Sequence, residues 1–435
     1  MPPVSLQLLD LAAAVTHEAL RGERASALLG SAISAKRLGA VEAEQLSALV
    51  YGALRRQRRV REALRALEVR ASTDIQARLD VIGAGLLDKT RPLELDLARA
   101  AWSEVGWQRF QATDESVLAG ATGALRVALL GSLPDFLASD LLREYGAEAD
   151  PLAASLSEPA PRSLRVNSLC ADVVEGQARL EAEGAKVAPG RFARRALRLE
   201  GAFNPFVTRA FHEGLFELQD EGSQIACELV APPPKGVVVD ACAGAGGKSL
   251  SLSAALGGRG KVVSLDVDAQ KLAELRRRAK RAGVVNLQPV TIEEEGELPE
   301  AVQALSGKVD RLLIDAPCSG TGVLRRNPET RTRLTPESVT RLAATQRAIV
   351  ERMLPLVAPG GRLVFVTCSL LRAEGEEVMD EVEAAHPELE PVNLAEIYDR
   401  PYIERFVRSA PHRVRLLPHL HDTDGFFISV LRRKR

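Results

Sequence analysis

The stretch Gly236–Ser249, GVVVDACAGAGGKS, decides the fold of this chain. It begins with an apolar run that predicts a β-strand and continues into a turn rich in glycine. The overlapping segment KSLSLSAALG predicts a helix directly after the turn. A strand, a glycine turn and a helix in this order indicate an α/β domain built on a parallel sheet.

The rest of the chain after residue 216 repeats this alternation. Strands are predicted for KVVSLDVD, VDRLLID and GRLVFVTCS, and helices for AQKLAELRRRAKRAG and ESVTRLAATQRAIVERMLPLV. This order predicts a mostly parallel, doubly wound sheet, in which ligands bind beyond the carboxyl ends of the strands. Cys242, Cys318 and Cys368 all stand at or just past predicted strand ends. We therefore expect them at the functional edge of the sheet.

The glycine turn fits neither a P-loop nor a dinucleotide fingerprint. A P-loop needs glycine where Cys242 stands, and a dinucleotide fingerprint starting at Gly244 needs glycine where Ser249 stands. Asp266, 22 residues after Gly244 at the end of the next strand, is in reach of a ribose hydroxyl pair. A ribose-binding acid without a pyrophosphate motif favours S-adenosyl-L-methionine, a nucleoside cofactor without phosphates, over a generic tight turn.

The length and composition of the chain restrict the class of protein. A chain of 435 residues is too long for a single hydrophobic core and predicts two or three domains. Its 46% hydrophobic and 26% charged residues are ordinary for a soluble globular protein, and no apolar run approaches the length of a membrane span. The N-terminal segment has no basic region typical of a signal peptide, so we expect a cytoplasmic protein. Five scattered cysteines without a CxxC pair predict neither a disulfide framework nor a metal site.

The first half of the chain has a different pattern. Residues 1 to about 130 carry alanine and leucine at helical spacing, which predicts an all-α region. From about 151 to 215, a helix and short strand candidates such as RSLRVN and RALRLEG predict a small α+β region. The formal net charge is −1, but LRRQRRVREALRALEVR, residues 54–70, is strongly basic. Such a cluster is compatible with phosphate contacts or with a solvated helix surface.

Two cysteine motifs follow predicted strands. Cys318 stands in DAPCSGTGVLRRNP, and Cys368 stands in VTCSL. A cysteine in a strand is usually a small packing residue, and we interpret Cys170 and Cys227 in this way. Cys318 and Cys368 would instead converge on one pocket beside the glycine turn, where Asp315 can hydrogen-bond the edge of a base.

These motifs closely resemble those of the RNA 5-methylcytosine methyltransferases, the NOP2/NSUN-like superfamily. DACAGAGGK is similar to that family's cofactor loop, and DAPCSGTG and VTCSL are similar to its paired catalytic loops. FELQDEGSQIACEL and DGFFISVLRRK resemble segments at the two ends of its catalytic domain. Upstream, VYGALRRQRRVREAL resembles the NusB-like domain of the bacterial RsmB/Fmu/Sun subgroup, and PDFLASDLLREYG and LRVN resemble that subgroup's linking domain. The resemblance covers nearly the whole chain.

The resemblance implies three domains. These are a NusB-like helical RNA-binding domain at 1–133, a small α+β linking domain at 134–213 and a Rossmann-like methyltransferase domain at 214–435. It implies S-adenosyl-L-methionine-dependent methylation of carbon 5 of a cytosine in 16S ribosomal RNA, without a metal and without a membrane. A chain that carries its own RNA-binding module is expected to be a monomer. The arginines of residues 55–61 are expected to contact RNA phosphates.

The same motifs assign the site residues. Cys368 is expected to add to carbon 6 of the cytosine, Cys318 to assist release of the product, and Asp315 to hydrogen-bond the ring. Near the adenine the family usually has an aspartate; this chain has none in register, and Glu293 is the nearest acid. The expected cofactor-binding residues are Cys242, Ala243, Gly244, Ala245, Gly246, Gly247, Lys248, Asp266, Lys271 and Asp315.

Several alternatives stay open at this point. In DNA cytosine methyltransferases the nucleophile belongs to the Pro-Cys loop, which would make Cys318 the attacking residue, whereas the resemblance to the RNA enzymes favours Cys368. The same chemistry on transfer RNA, and a non-catalytic RNA-binding ribosome-assembly factor, are the alternative functions. Trp102 and Trp107 are expected either to stack on bases or to lie in the core.

Overall fold

The computed structural model describes residues 4–88, 104–201, 203–398 and 403–435, which form two compact units. The first unit contains the chain up to Pro159 together with the segment Val323–Pro336. The second contains Ala160–Gly322 and Glu337–Arg435. The domain boundaries expected at 133/134 and 213/214 stay predictions.

The first unit is helical, as predicted. Its longest described helix, Ala40–Ala66, buries Leu46, Leu49, Val50 and Ala53, and this spacing of three and four residues turns one face to the core. Trp107 lies in the same core, 2% exposed, and Trp102 lies outside the described residues. The helices are Leu6–Leu20, Ala25–Lys36, Ala40–Ala66, Thr73–Leu87, Glu104–Gly120, Gly123–Gly131, Asp135–Tyr145 and Ala149–Leu156.

The segment Val323–Pro336 completes this helical unit from a distant part of the sequence. Arg331, 5% exposed, donates hydrogen bonds to the backbone carbonyls of Gly131 at 3.1 Å and Leu156 at 2.6 Å. Burial lowers the pKa of the Arg331 guanidinium to about 9. From helix Ala40–Ala66, Arg55 donates a hydrogen bond to the carbonyl oxygen of Arg325 in the segment at 2.7 Å. The segment is therefore a structural part of the helical unit.

Arg59 and Arg61, within residues 55–61, have acidic partners inside the unit, and contact of these arginines with RNA phosphates stays a prediction. Arg59 donates two hydrogen bonds, at 2.8 and 2.6 Å, to Asp114, which is 2% exposed. Arg61 donates to Asp80, which is 0% exposed, at 2.7 Å. A buried carboxylate needs such a partner, because an unpaired charge in the interior is costly. These arginines therefore neutralise acids of other helices of the unit.

The second unit begins with a four-stranded antiparallel sheet, which accounts for the predicted α+β region. Its strands stand in the order β2-β3-β1-β4, and helix Val173–Ala182 follows β1 in the chain. Leu164, Leu197 and Phe216 are fully buried in its core. The strands are β1 (Arg162–Val166), β2 (Lys186–Pro189), β3 (Ala196–Glu200) and β4 (Phe216–Leu218).

The larger sheet of this unit has the order β10-β12-β9-β8-β5-β6-β7, with β11 paired to β12. Strands β9, β8, β5, β6 and β7 are parallel, and β12 runs antiparallel to β9, so the predicted α/β class and mostly parallel doubly wound sheet are confirmed. The strands are β5 (Val237–Asp240), β6 (Lys261–Asp266), β7 (Leu287–Thr291), β8 (Val309–Asp315), β9 (Val357–Thr367), β10 (Leu389–Pro391), β11 (Arg413–Leu416) and β12 (Phe426–Arg433).

Helices connect these strands and cover the sheet. Val239, Leu312, Phe365 and other strand residues are fully buried between the layers, which explains the nearly continuous apolar runs of the sequence. Among the described residues, no helix combines the length and the apolar composition that a membrane crossing requires. The helices are Val173–Ala182, Arg209–His212, Glu221–Val230, Gly247–Ala255, Ala269–Arg281, Glu300–Gln303, Pro336–Met353, Glu376–Ala385 and Pro418–His421.

Candidate active site

The candidate site lies at the carboxyl ends of the parallel strands. Chain order reverses between β5 and β8. Strands β6 and β7 extend the sheet on one side of β5, whereas strands β8 and β9 extend it on the other side. Asp240 ends β5, Asp266 ends β6, Asp315 ends β8 and Thr367 ends β9. Open α/β sheets bind ligands at such a reversal point. The site residues predicted from separate motifs therefore meet at one edge.

The glycine loop after β5 is held by the end of β6. Asp266 accepts hydrogen bonds from the backbone N–H of Gly244 at 2.7 Å and of Asp268 at 2.9 Å. Gly246 has a φ of +83°, and a Cβ there would stand 1.9 Å from Leu275 Cδ1. Only glycine satisfies both the left-handed backbone and this close packing. The Asp266 carboxylate thus shapes the loop that it faces.

The loop also leaves space for a ligand. A Cβ added at Gly244 or Gly247 would meet no further described atom within 4 Å beyond its chain neighbours. Each carboxylate oxygen of Asp266 accepts one backbone hydrogen bond and can accept a second from a hydroxyl. This donor and acceptor set suits a nucleoside. The loop has open backbone at Gly244 and Gly247 and lacks a pyrophosphate motif.

Two further charged residues follow the strand ends. Lys271, which was assigned to the cofactor, comes after β6, and Glu293, named only as the nearest acid, comes after β7. Lys271 is exposed and stands 3.8 Å from Asp268 on its own helix. Glu293 is exposed, two residues beyond β7, and its backbone carbonyl accepts a hydrogen bond from Arg352 at 2.9 Å. Glu293 therefore follows β7 at the same edge of the sheet as Asp266, because β6 and β7 are paired up to their last residues.

Lys248 connects the glycine loop to the first cysteine loop. Its Nζ atom stands 2.5 Å from Oδ2 of Asp315 and 5.7 Å from the centre of the Phe426 ring. Burial lowers the pKa of Lys248, but the charge of Asp315, its hydrogen bond and the nearby thiols together more than offset this, so the pKa is raised and the ammonium stays charged. Lys248 thus holds the Asp315 carboxylate by a charged hydrogen bond.

The two cysteine loops bring their sulfur atoms into contact. Cys318 and Cys368 are half-buried, and their Sγ atoms lie 3.4 Å apart, within hydrogen-bonding distance for sulfur. The hydrogen bond to Cys368 and then burial raise the pKa of Cys318 well above the usual value. The loops are joined at their bases, because the N–H of Ala316 donates to Val366 and that of Gly322 donates to Cys368, both at 2.9 Å.

The remaining cysteines do not join this pair. Burial, and then the charges of Asp240 and Asp315, raise the pKa of Cys242, which keeps it a neutral thiol in the loop. Cys227 is 4% exposed and is a packing residue, as expected. The same expectation is wrong for Cys170, which is exposed after the end of β1. Its thiol contacts the carbonyl oxygen of Gly214 at 3.6 Å.

Sequence reasoning missed two buried acids beside the site. Asp240 is fully buried and accepts a hydrogen bond from the Ser249 hydroxyl at 2.6 Å; burial raises its pKa to about 6. Glu374, also fully buried, hydrogen-bonds both cysteine loops. The only local sequence signal was an acid six residues after Cys368, which resembles any solvated glutamate. Among the described residues, no cluster of three metal-ligating side chains occurs.

Two family models match the chain. The model of the 16S rRNA methyltransferases RsmB/F matches residues 227–432, and that of an RsmF/B-like ferredoxin-like domain matches residues 133–205. These ranges correspond to most of the larger sheet with its helices and to much of the antiparallel sheet.

Individual proteins and solved structures are also similar to this chain. A probable ribosomal RNA small subunit methyltransferase B from Bacillus subtilis (strain 168) is 35% identical over 313 residues, 71% of this chain and 68% of the relative. A crystal structure of a methyltransferase homolog protein from Pyrococcus horikoshii is 27% identical with a TM-score of 0.61, covering 72% of this chain and 99% of that chain. The crystal structure of PH0851 shares the fold over 99% of this chain and 100% of that chain, with 24% identity and a TM-score of 0.78.

Proposed function

Because the chain belongs to the RsmB/F family of 16S ribosomal RNA methyltransferases, we propose that it methylates carbon 5 of a cytosine in that RNA through a covalent cysteine adduct. One observation carries the proposal. The sulfur atoms of Cys318 and Cys368 lie 3.4 Å apart at the strand edge that also holds the glycine loop. Two thiols in contact at the edge that holds the open glycine loop suit a reaction that needs one group to add and another to release.

The chemistry explains why a thiol is needed. Carbon 5 of cytosine is a poor nucleophile towards a methyl sulfonium. When a thiolate adds to carbon 6, the ring becomes an enamine whose carbon 5 can attack a methyl group. We assign this addition to Cys368, which directly follows the last residue of β9. Cysteine suits the step because its thiolate is strongly nucleophilic.

Two further groups serve the same ring. We expect Asp315 to hydrogen-bond the ring-nitrogen and amino edge of the cytosine. Its carboxylate can accept from the amino group, and from the ring nitrogen when that nitrogen is protonated, so it stabilises the proton that balances the charge of the added thiolate. After methylation, a base must take the proton from carbon 5 so that the Cys368 sulfur can leave. We assign the removal of this proton to Cys318, which must be a thiolate at that step and whose sulfur lies 3.4 Å from that of Cys368.

S-adenosyl-L-methionine, when bound, supplies the electrophilic methyl group. The residues of the glycine loop, from Cys242 to Lys248, would hold it mainly through their backbone, and Asp266 would accept hydrogen bonds from its ribose. Glu293 and Lys271 are the nearest charged groups for the adenosine end. The target cytosine must leave its stack to expose carbon 6, so we expect a flipped or single-stranded base. We expect the protein to act as a monomer.

The direct test is transfer of a labelled methyl group from S-adenosyl-L-methionine to 16S ribosomal RNA. Bisulfite sequencing of RNA from a strain that lacks the protein, compared with the parent, would identify the cytosine. The proposal requires one cytosine to lose its 5-methyl group in the deletion strain. A methyl group on a base nitrogen or on ribose would refute it.

The alternative functions give different results in the same experiment. Transfer RNA as substrate would shift the missing 5-methylcytosine to that RNA. A non-catalytic assembly factor would transfer no label although it binds RNA. The sulfur contact and the Lys248–Asp315 ion pair favour an enzyme, because an RNA-binding protein without catalysis has no use for either.

A further inference from the structure

One buried carboxylate is shared by the two cysteine loops. Glu374 is 0% exposed and ends a short 3-10 helix, Arg372–Glu374. Its Oε1 atom accepts the backbone N–H of Ser319 at 2.8 Å. Its Oε2 atom accepts the hydroxyl of Ser369 at 2.6 Å and also that of Ser319. The residue after Cys318 and the residue after Cys368 are therefore fastened to the same side chain.

The sheet alone does not fix the two sulfurs. Strands β8 and β9 are paired up to Asp315 and Val366, and both cysteines stand beyond this pairing, on loops. Past that point the N–H of Gly322 donates to the Cys368 carbonyl oxygen at 2.9 Å, and side chains make further connections between the loops. The N–H of Leu370 donates to the Thr321 hydroxyl at 2.8 Å, and the Thr367 hydroxyl donates to the Glu374 carbonyl at 3.0 Å.

A carboxylate fits this position better than other side chains. Burial raises the pKa of Glu374, while the hydrogen bonds from Ser319 and Ser369 oppose the rise. Ser319 presents a backbone N–H, which can only donate, together with its hydroxyl. An acceptor with two oxygen atoms satisfies donors from both loops at once. An apolar residue here would leave those donors buried without partners.

We propose that Glu374 is a positioning residue that holds the Cys318 and Cys368 sulfur atoms at one fixed separation. It touches neither the cytosine nor the cofactor space and acts through Ser319 and Ser369. The catalytic meaning of this role rests on the proposed function, but the separation of the two sulfurs can be measured without any methyl transfer.

The test is the rate at which diamide oxidises the Cys318–Cys368 pair to a disulfide in the full-length protein, followed by peptide mass spectrometry. Sulfurs 3.4 Å apart need only a small movement to reach the bond length of about 2.05 Å. We expect Glu374→Ala to lower this rate about 30-fold and Glu374→Gln, which keeps one oxygen acceptor, to lower it about 5-fold. With S-adenosyl-L-methionine and RNA, kcat should fall in the same order while the KM for the cofactor stays unchanged.

Glu383→Ala is the matched control. Glu383 lies on helix Glu376–Ala385, close in sequence to Glu374, and accepts a hydrogen bond from Arg413 at 2.6 Å. Its disulfide rate and kcat should equal those of the wild type. A wild-type rate in Glu374→Gln, whether or not Glu374→Ala folds, would overturn the proposal, as would equal losses in the Glu383 variant. If the wild-type protein does not methylate RNA, the proposed function fails, and the oxidation rates still decide the role of Glu374.

Discussion

Lys248 Nζ and Asp315 Oδ2 lie 2.5 Å apart, and this ion pair joins the loop after β5 to the loop after β8. The lysine was assigned to the cofactor from its place in the glycine loop. In the structure its side chain, 11% exposed, is directed to the carboxylate of the catalytic loop. The residue thus connects the two halves of the site.

Replacing Lys248 by methionine should therefore damage the chemical step more than cofactor binding. A charged hydrogen bond contributes about 1.5–3 kcal/mol, so we expect kcat to fall roughly 10- to 150-fold. The Kd for S-adenosyl-L-methionine, measured by calorimetry, should change less than about threefold. Lys280→Met, at an exposed lysine of helix Ala269–Arg281, is the control and should leave both kcat and the Kd unchanged. An equal loss in cofactor affinity and kcat would show that Lys248 acts in cofactor binding instead.

The two cysteines should give opposite results in single substitutions. Cys368→Ala removes the group that adds to carbon 6, so both methylation and covalent capture of RNA should disappear. Cys318→Ala should still form the adduct but release it slowly, so a protein–RNA complex should accumulate. Denaturing gel electrophoresis with labelled RNA separates the two species. If the Cys368 variant captured RNA covalently and the Cys318 variant did not, the assigned roles of the two cysteines would have to be exchanged.

Asp240 should make stability depend on pH. Burial raises its pKa to about 6, above the unfolded value of about 3.9. The stabilisation of the native state by its protonated form is therefore complete below about pH 4 and lost as pH rises through about 6. Asp240→Asn cannot ionise, so its free energy of unfolding relative to the wild type should increase by about 3 kcal/mol between pH 4 and 7.

Denaturant unfolding at several pH values measures this difference. Asp268→Asn is a control of opposite sign, because a backbone hydrogen bond from Lys271 lowers the pKa of the exposed Asp268 carboxylate. The stabilisation by that residue is present above its unfolded pKa and is lost at low pH. A constant difference between the Asp240 variant and the wild type across the range would contradict the prediction.

Arg331 should be essential to the helical unit although it lies far away in the sequence. Arg331→Met leaves the carbonyls of Gly131 and Leu156 without their donor, which should cost about 3 kcal/mol. Hydrogen exchange of helices Gly123–Gly131 and Ala149–Leu156 would report the loss. Arg333→Met removes a single exposed hydrogen bond to Gly22 and should change stability by less than about 0.5 kcal/mol. Equal protection in both variants would refute the role of Arg331.

The elements that were predicted from the sequence are those whose conformation is specified by residues adjacent in the chain. The apolar run and turn of Gly236–Ser249 specify a strand and a helix start within a few residues, and β5 and helix Gly247–Ala255 appear there. The strand predicted before Cys368 likewise appears as β9. Chain order then placed both cysteines at one sheet edge, because parallel strands share their carboxyl ends.

The missed features depend on partners remote in the sequence. Arg59 lies in a stretch that reads as a basic patch, and only the fold brings Asp114 to it. Glu374 has no local pattern that separates it from a surface glutamate, since its partner Ser319 is 55 residues away. Periodicity reports which face is apolar but not which charges meet across a core.

The membership of Val323–Pro336 in the helical unit has a consequence for the order of synthesis. A ribosome makes the helices first and Arg331 long afterwards, once the strands of the smaller sheet and β5 to β8 have been translated. Nascent domains usually fold in the order in which they emerge. Here the helical unit must wait for the last arginine of its core, so its final consolidation comes only after much of the catalytic sheet has been made.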